Sequence, residues 1–344
     1  MRSGWMHCDN GEGQERFAPK TTMEGVEGLL EAKAGYDAHL ASKNNPHGVT
    51  AEQVGAATPT DVTAAVQTAR AVNLLDNSDF TRPVNQRGSS SYNAPGAYCL
   101  DRWMFNRNQI GDGSVVLSDG CIQFVNTSAD YAGLVQRIPI ELVRGKEGVT
   151  FTAAYGDTDG NVYCASFPFG QTPGGKAMGG IKVYSTAPKD TYAPVYYRNE
   201  NAGTTTSVKW VALYEGNYTA DILPPYVPKG YTAEMLACKR YCRVIDWGTT
   251  RYTGFFGAAT SGTTAVYAIL PIDVPMRVTP SLSSTAGTNF RLYGGDVSFN
   301  PTSVSVWFAG NNAIGLVFAC TAVAGRVYVV YPATGTPIVL SADL

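Results

Sequence analysis

The sequence predicts a mainly β protein in which a short N-terminal helical connector precedes a β-sandwich and a C-terminal β-rich domain. Composition supports this class, since 37 glycines, 20 tyrosines and only 16% charged residues occur in 344 positions. Aromatic residues suit a pleated sheet, and glycine supplies the positive φ of tight turns. The apolar pattern also changes near residue 73, from helical spacing to strand-length runs bounded by Gly, Asp and Asn.

The charge balance and hydropathy exclude two classes of partner. A net charge of −2 and a pI near 6.0 provide no basic face for nucleic acid. The start of the chain has no basic-then-apolar signal peptide. The apolar stretch "AIGLVFACTAVAG" from Ala313 is too short and too interrupted by glycine to span a bilayer. We therefore expect a chain made in a cytoplasm, with no membrane insertion and no signal-directed secretion.

The cysteines predict neither a disulfide framework nor a metal site. Their number, 7, is odd, and their spacing shows no paired pattern. Cys238 and Cys242 lie about one helical turn apart, but a cysteine metal site would need two more ligands at similar spacing. We expect free thiols and no cofactor.

The first helix is predicted at "TTMEGVEGLLEAKA". Thr21 followed by Glu24 forms a capping-box pattern, and apolar residues share one helical stripe at Val26, Leu29 and Leu30. The helix is short and is expected to end near Gly35.

A second helical run, "TPTDVTAAVQTARAVNLL", has Thr60 or Asp61 as its candidate N-cap. Its apolar face is narrow and built from small residues, at Val62, Ala65, Val66, Ala69 and Val72. Such a face suits close packing against copies of itself rather than against a globular core. Because a lone helix of this length is marginal in water, self-association of the chain is expected.

From Asn73 onwards the chain consists of strand-length runs bounded by turn residues, namely "GSVVLSDGCIQFVN", "GVTFTAAYGDTDGNVYCASF", "GIKVYST" and "SVKWVALYEGNYT". Their spacing predicts a sandwich of antiparallel strands rather than βαβ units. A second β-rich block starts at Trp247 and includes "AVYAILPIDVPM", "VSVWFAG", "AIGLVFAC" and "GRVYVVY".

Between the two β blocks, "TAEMLACKRYCRVI" predicts one helix. Thr232 is its candidate N-cap, and its buried stripe is expected to consist of Met235, Leu236, Tyr241 and Val244. The predicted domains are the connector at 1–72, the sandwich at 73–230, and the helix with a C-terminal β-rich tip at 231–344.

Three stretches resemble one known family. "NNPHGVTAEQVGA" resembles a segment repeated in the shafts of bacteriophage and prophage tail fibres. "NLLDNSDFTRPVNQRG" with "YCLDRW" resembles the opening of a jelly-roll module of phage tail proteins. "VKWVALYEGNYTADILPPYVPKGYTAEMLACKRYC" resembles the closing strand of that module and its exit into a helix. The stretches lie within residues 39–56, 73–103 and 208–242.

The resemblance implies a receptor-binding tail-fibre protein with a jelly-roll, carbohydrate-binding-like module. Proteins of this class are similar in being homotrimers that bind bacterial surface polysaccharide or other cell-wall glycans. The implied location is the virion or a phage-tail-like particle. Residues 1–72 would then hold the three chains together and dock on other tail or baseplate proteins. The shaft-like segment occurs once rather than in tandem, which predicts a short fibre.

Two of the histidines, His39 and His47, lie in this shaft-like region. Pro46 fixes φ and ends a preceding helix, while Gly48 lets the chain turn, so a compact connector is expected. In a trimer the histidines would pack or hydrogen-bond between chains. The alternative is an axial metal site to which each chain contributes one histidine.

The sequence contains no dinucleotide fingerprint, P-loop or nucleophile elbow, and no enzymatic activity is expected. "DTDG" at 157–160 predicts a hairpin turn, with a structural Ca²⁺ as the alternative, because Pro168 stands where a calcium loop needs glutamate. A glycosidase needs two carboxylates about 5–9 Å apart. Asp246 and Asp296 are the pair that would make the protein a polysaccharide depolymerase.

Glycan binding without cleavage needs aromatic rings that stack on sugars and polar groups that bond the hydroxyls. In "DWGTTRYTGFFG" and "VWFAGNNA" the candidates are Trp247, Arg251, Tyr252, Asn311 and Asn312. In "YAPVYYRNEN", an expected loop or edge, they are Tyr192, Tyr196 and Tyr197. The alternative for such aromatic residues, and for Trp307, is a place in the core or in a trimer interface.

Besides attachment and depolymerase activity, a purely structural role in a tail or baseplate stays open. A structural component would bind another particle protein and no cell. An attachment protein would gain affinity by avidity, because three weak sugar sites on one rigid trimer make later contacts intramolecular.

Overall fold

The computed structural model describes residues 6–9, 14–17, 29–41, 55–58, 61–62, 65–66, 71–107, 113–245, 255–259, 262–283, 286–332 and 337–343. The protein is mainly β, as predicted, with several antiparallel sheets. The chain forms two compact units, Met1–Val66 and Gln67–Leu344. The second unit contains both β blocks, and the predicted borders near residues 72 and 230 stay predictions. No described helix is long and apolar enough to cross a membrane.

The first unit contains a two-stranded sheet and a helix. Strands β1 (Met6–Asp9) and β2 (Gln14–Phe17) pair antiparallel, and helix α1 spans Leu29–Ala41. The described side chains of α1 are exposed.

Helix α1 continues past Gly35, so the predicted end at this residue is wrong. Glycine inside a helix costs only about 1 kcal/mol relative to alanine. Lys33 and Asp37, an ion pair at 2.5 Å with i,i+4 spacing, support the turn around it. The predicted capping pair of Thr21 and Glu24 lies outside the described residues.

The second predicted helix is described at 61–62 and 65–66, where the backbone is helical. Its cap is Thr58 rather than Thr60 or Asp61. The Asp61 N–H donates to Thr58 Oγ1 at 3.1 Å, and the Asp61 carboxylate accepts the Thr58 N–H at 2.7 Å. These reciprocal bonds form a capping box. The Thr58 hydroxyl also donates to the Asp61 carboxylate at 2.7 Å, and this bond, together with that from the Thr58 N–H, lowers the pKa of Asp61. The described valines of the apolar face are exposed in the single chain, and self-association stays a prediction.

Two antiparallel sheets of the second unit form a β-sandwich, as predicted; its jelly-roll classification stays a prediction. The five-stranded sheet consists, in spatial order, of β10 (Thr172–Met178), β11 (Ile181–Ser185), β12 (Tyr192–Asn199), β7 (Ala132–Pro139) and β4 (Trp103–Asn106). The six-stranded sheet consists of β3 (Ser91–Tyr92), β5 (Gly113–Ser118), β6 (Cys121–Asn126), β13 (Thr204–Glu215), β8 (Thr150–Asp157) and β9 (Val162–Pro168).

The two sheets share one hydrophobic core that is centred on Trp103. Its indole makes edge-to-face contacts with Phe80 at 5.7 Å and Tyr197 at 6.1 Å between ring centroids. The indole N–H donates to the carbonyl of Asn77 at 2.7 Å, so the polar end of this buried ring is satisfied. The cysteines whose side chains the structure describes are free thiols, and burial raises the pKa of Cys99 to about 12.

Tight turns connect neighbouring strands of the sandwich. Asp119 and Gly120 join β5 to β6 as a two-residue loop, with Gly120 at φ 68°, which is typical of Asp-Gly hairpins. The Asp157 carboxylate closes the β8–β9 turn by accepting the backbone N–H groups of Asp159 at 2.9 Å and Asn161 at 2.8 Å. Desolvation opposes these bonds, but they lower the pKa of Asp157. The interpretation of "DTDG" as a hairpin turn is confirmed.

The C-terminal block contains two further antiparallel sheets. The larger one consists, in spatial order, of β19 (Val297–Phe299), β18 (Phe290–Gly294), β22 (Val327–Pro332), β15 (Phe255–Ala259), β16 (Ala265–Pro271), β21 (Ala313–Ala319) and β20 (Ser303–Ala309). The smaller one consists of β14 (Cys242–Ile245), β23 (Ile338–Ser341) and β17 (Ser281–Leu282). Side chains from both sheets form a second core.

The described part of the second unit also contains four short helical segments. They are α2 (Ile140–Val143), α3 (Tyr231–Lys239) and the 3-10 turns Ala220–Ile222 and Gly287–Asn289. Helix α3 differs from its prediction at both ends. It follows Gly230, which makes no side-chain cap, rather than Thr232, and it stops at Lys239. The last predicted turn is instead strand β14, which pairs with β23.

The buried face of α3 differs from the predicted apolar stripe because it includes a charged residue. Glu234 and Cys238 are buried, whereas Leu236 is 45% exposed. The Glu234 carboxylate accepts the backbone N–H of Asn77 at 2.7 Å, which compensates for part of its desolvation. Burial nevertheless raises the pKa of Glu234. Tyr241 is buried as predicted but lies beyond the helix.

A buried polar network joins the sandwich to the C-terminal block, and we define it by Asn77, Arg87, Asp101, Arg102, Glu234 and Asp343. At its centre, the Arg87 guanidinium lies between Asp101 at 3.4 Å and Asp343 at 2.7 Å. The side chains of the two acids are only 0% and 4% exposed. Asp101 also accepts the backbone N–H of Gln86 at 2.7 Å, and Gln86 donates to the carbonyl of Cys242 at 2.9 Å.

Arg102 provides the second link of this network. Its side chain is fully buried, and its guanidinium lies 3.5 Å from the centroid of the Tyr241 ring. One terminal nitrogen donates to the carbonyl of Arg137 at 2.9 Å, and Nε lies 3.3 Å from Asp76. Its φ of 72° is unusual for a residue other than glycine, so the surrounding contacts hold the backbone here.

We predict that Arg87→Ala lowers the free energy of unfolding by about 3–5 kcal/mol, because two buried carboxylates lose their shared cation. Urea unfolding of the purified chain measures this change. The control is Lys146→Ala, which removes an exposed ion pair with Glu215 and should cost less than about 1 kcal/mol. Equal losses of unfolding free energy in the two variants would contradict the expectation that the buried network stabilises the fold more than an exposed ion pair does.

A second prediction concerns the pH dependence of stability. Because burial raises the pKa of Glu234, the folded state holds the proton more tightly than the unfolded state. The protonated Glu234 side chain therefore makes its full contribution to stability below the ordinary pKa of a glutamate. This contribution declines as the pH rises through the raised pKa of the folded state. Glu234→Gln should therefore gain stability relative to the wild type across that window. Urea unfolding at a series of pH values measures this difference, and a difference that does not change with pH would contradict it.

Candidate functional site

The residues that the sequence predicts as glycan ligands fall into three groups. Trp247, Arg251 and Tyr252 lie outside the described residues. Asn311 and Asn312 are exposed in the turn between β20 and β21, where a ligand can reach their side chains. The third group, from the strand β12, divides between the two faces of its sheet.

Strand β12 is an inner strand between β11 and β7, not the expected loop or edge. Tyr192 and Tyr196 lie on its outward face and are half-buried. Tyr197 points into the sandwich core, is 0% exposed, and donates its hydroxyl to the carbonyl of Ala212 at 2.8 Å. The choice of Tyr197 as a surface ligand is therefore wrong, because neighbouring residues of a strand face opposite sides.

An exposed aromatic cluster lies on the larger C-terminal sheet, and we call Tyr267, Trp307 and Phe308 the tryptophan platform. Trp307 is 62% exposed and Tyr267 is 39% exposed. Their ring centroids are 5.3 Å apart at 63°, and Trp307 meets Phe308 at 5.2 Å and 76°. The platform is thus a group of mutually supporting rings that is open to solvent.

A β-bulge and a glycine shape this platform. The register of β20 against β21 shifts between Val306, which pairs with Leu316, and Phe308, which pairs with Gly315. Trp307 is therefore the extra residue of a β-bulge. The Phe308 ring lies directly over Gly315, where a Cβ would stand 2.3 Å from a ring carbon. From the sequence, the core or a trimer interface was the alternative for Trp307, whose exposure follows from a bulge that breaks the simple alternation of β20. Tyr267, on the regularly paired strand β16, was not singled out from the sequence.

The outward face of the five-stranded sheet carries a second cluster, which we call the tyrosine–arginine face and define by Tyr131, Tyr184, Tyr196 and Arg198. The Arg198 guanidinium lies 3.8 Å from the ring centroid of Tyr131, 4.6 Å from that of Tyr184 and 4.9 Å from that of Tyr196. Its Nε donates to Asn106 Oδ1 at 2.7 Å. Three rings and one amide therefore fix the position of this cation.

Burial shifts the acid–base properties of the tyrosine–arginine face. Desolvation lowers the pKa of Arg198, although Tyr131, Tyr196 and Asp130 oppose this effect. Desolvation also raises the pKa of Tyr131. The arginine remains charged at neutral pH, since its ordinary pKa lies far above it, but its charge is incompletely hydrated.

A cleft of about 270 Å³ adjoins this face, and its wall includes Gly179, Gly180, Lys182, Glu200 and Asn201. Lys182 is the cross-strand neighbour of Arg198. Its ammonium lies 3.0 Å from the Glu200 carboxylate, which also accepts the hydroxyl of Tyr184. The cleft thus offers hydrogen-bonding groups beside the aromatic face.

The other candidate chemistry receives little support. Asp246 and His47 lie outside the described residues, and the Asp296 side chain is 88% exposed and lies 3.4 Å from Arg326. His39 lies on the exposed surface of α1. Within the part of the chain that the structure describes, no group of three or more His, Cys, Asp or Glu side chains could hold a metal ion.

No family model and no curated protein matches the chain. Among solved structures, the chain is similar to one reported as "A Structural Element that Modulates Proton-Coupled Electron Transfer in Oxalate Decarboxylase". The identity is 10%, the match covers 69% of this chain and 77% of that chain, and the TM-score is 0.10. A TM-score of this size carries no argument about fold or function, so the site rests on its own residues.

We predict that Gly133→Ala disrupts the tyrosine–arginine face. A Cβ at this position would stand 2.1 Å from the Tyr197 carbonyl oxygen and 2.7 Å from the Arg198 Cα, so β7 and β12 would have to separate. The expected cost is about 1–3 kcal/mol of stability, measured by urea unfolding. Gly174→Ala is the control, because nothing lies within 4 Å of its Cβ position, and its stability should not change.

Proposed function

We propose that the protein is a receptor-binding protein of a phage or prophage tail fibre. It acts as a homotrimer that attaches the particle to bacterial surface glycans, and its N-terminal region docks on other tail or baseplate proteins. The observation that carries the proposal is the tryptophan platform. The resemblance of three sequence stretches to tail-fibre proteins supports it independently.

The tryptophan platform has the properties that sugar stacking requires. Trp307 and Tyr267 are exposed aromatic residues, and Ile269 on the same strand as Tyr267 is 54% exposed. Such rings gain free energy when the apolar face of a pyranose displaces water from them. The nearby turn contributes Asn311 and Asn312, whose amides donate to and accept from sugar hydroxyls.

Weak single sites are sufficient for this function. A platform of two or three rings binds a sugar with modest affinity, and a trimer presents three copies on one body. Once one copy is bound, the others meet the same cell surface at high effective concentration. The proposal therefore needs the trimer as well as the platform, and both can be measured.

We predict that Trp307→Ala weakens binding to neutral oligosaccharides at least tenfold, or by about 1.4 kcal/mol. The probes are immobilised oligomers of glucose, galactose and N-acetylglucosamine. Tyr231→Ala is the control, since Tyr231 is also an exposed aromatic residue, at 38%, but lies on α3. Its binding should equal that of the wild type.

Solution mass by light scattering separates this function from a structural role. The wild type and Trp307→Ala should both have three times the 36.7 kDa mass of one chain. A lower mass for Trp307→Ala would assign the platform to a subunit interface. A wild type that is monomeric, or that binds none of the probes, would contradict the proposed attachment function.

A further inference from the structure

We propose that the tyrosine–arginine face of the sandwich is a second saccharide site, which binds a carboxylate-bearing sugar of the uronic acid class through Arg198. The inference rests on the proposed glycan-binding function and specifies a different surface and a different sugar chemistry. The tryptophan platform contributes nothing to it.

The first step is the ion-pair status of Arg198. Arg87, whose side chain is 14% exposed, and Arg102, whose side chain is fully buried, lie within 4.0 Å of aspartates. Among the described residues, no carboxylate lies at such a distance from Arg198, and Asp130 acts on it only from farther away. A partly buried guanidinium without an ion-pair partner favours an anionic ligand.

The second step is the orientation of the cation. Nε donates to Asn106, and the guanidinium also hydrogen-bonds the Tyr131 side chain, so an incoming carboxylate would bind the terminal nitrogens of Arg198 beside that phenol. Three tyrosine rings prevent the guanidinium from turning. A planar, fixed guanidinium matches the two oxygens of a carboxylate, which it can bind in a bidentate manner.

The third step is space for the rest of the sugar. The cleft of about 270 Å³ lies beside Lys182, the cross-strand neighbour of Arg198. This volume is near the lower end of small-molecule pockets, at about 300 Å³, and suits a single sugar ring. Glu200 and Asn201 on its wall can bond hydroxyls, and Tyr196, two residues before Arg198 on β12, offers an aromatic surface outside the cleft.

The charge balance selects a carboxylate over a phosphate. The Glu200 carboxylate lies 3.0 Å from the Lys182 ammonium and balances its charge. The cleft therefore adds no net positive charge to that of Arg198. A second arginine on the same face, Arg137, lies over Tyr192 at 4.7 Å and toward the other end of β12. Asp130, which acts on Arg198 from beyond ion-pair distance, adds no positive charge. The face therefore offers at most one positive charge, which suits a singly charged carboxylate better than a phosphate monoester with nearly two negative charges.

Isothermal titration of the full chain with trigalacturonic acid and with its methyl ester tests the site. The two probes share the same sugar rings and linkages and differ at the carboxyl groups, which are charged in the acid and are neutral methyl esters in the other probe, so the comparison needs no variant. We expect the acid to bind the wild type at least tenfold more tightly than the ester, and less tightly as salt is added. Equal affinities for acid and ester would overturn the proposal, as would tighter binding of glycerol phosphate than of the acid.

Substitutions locate the site. Arg198→Gln should remove the preference for the acid, and Arg198→Lys, which keeps the charge but not the fork, should retain part of it. Arg82→Gln is the matched control, because Arg82 also lies over a tyrosine ring, that of Tyr231 at 4.8 Å. An acid preference that survives in Arg198→Gln, with the fold verified by thermal unfolding, would overturn the assignment to this face.

The two proposals can fail separately. Trp307→Ala should leave the acid preference unchanged, and Arg198→Gln should leave the binding of neutral oligomers unchanged. Loss of neutral binding in the wild type with the acid preference intact would contradict the platform alone. Neutral binding without any acid preference would contradict the Arg198 site alone.

Discussion

The burial of charge between the sandwich and the C-terminal block constrains the rest of the second unit. Asp101 and Asp343 are almost completely removed from water, and both depend on the single guanidinium of Arg87. A buried carboxylate without a partner costs several kcal/mol, so none of these groups can move away alone. Strand β23 is held in place by this pairing at its end, and β14 is held by pairing with β23. The larger C-terminal sheet shares a core with these strands, and its position follows from theirs.

The stretches that carry the resemblance to tail proteins meet at this buried network. "NLLDNSDFTRPVNQRG" contributes Asn77 and Arg87, "YCLDRW" contributes Asp101 and Arg102, and the helix stretch contributes Glu234. These residues therefore connect the sandwich to the helix that follows it. Buried residues that connect two parts of a fold are evidence about its architecture. Function must be inferred from residues that a ligand can reach. This is why the proposed function rests on exposed rings rather than on the motifs themselves.

The strands and their turns could be predicted from the sequence because period-two alternation and Gly or Asp turns are local signals. Contacts between distant residues were not predictable. Glu234 is buried because it meets Asn77 from far along the chain, and no pattern within α3 indicates this. Tyr197 was misplaced because three tyrosines close in sequence were treated as one surface group, although alternation separates it from Tyr196. Arg198 was missed because its partners come from β4, β7, β11 and β12 or their flanking residues.

The two candidate surfaces differ in when the free energy cost of desolvation arises. The rings of the tryptophan platform release water only when a ligand covers them, so the gain is realised during binding. The Arg198 guanidinium has already lost part of its hydration on folding, as its lowered pKa indicates. That cost is included in the stability of the sandwich, and Asn106 with three tyrosines holds the cation in place. A carboxylate that arrives there meets a charge that needs little further desolvation or reorientation, which is the condition under which an exposed sheet face can bind an anion selectively.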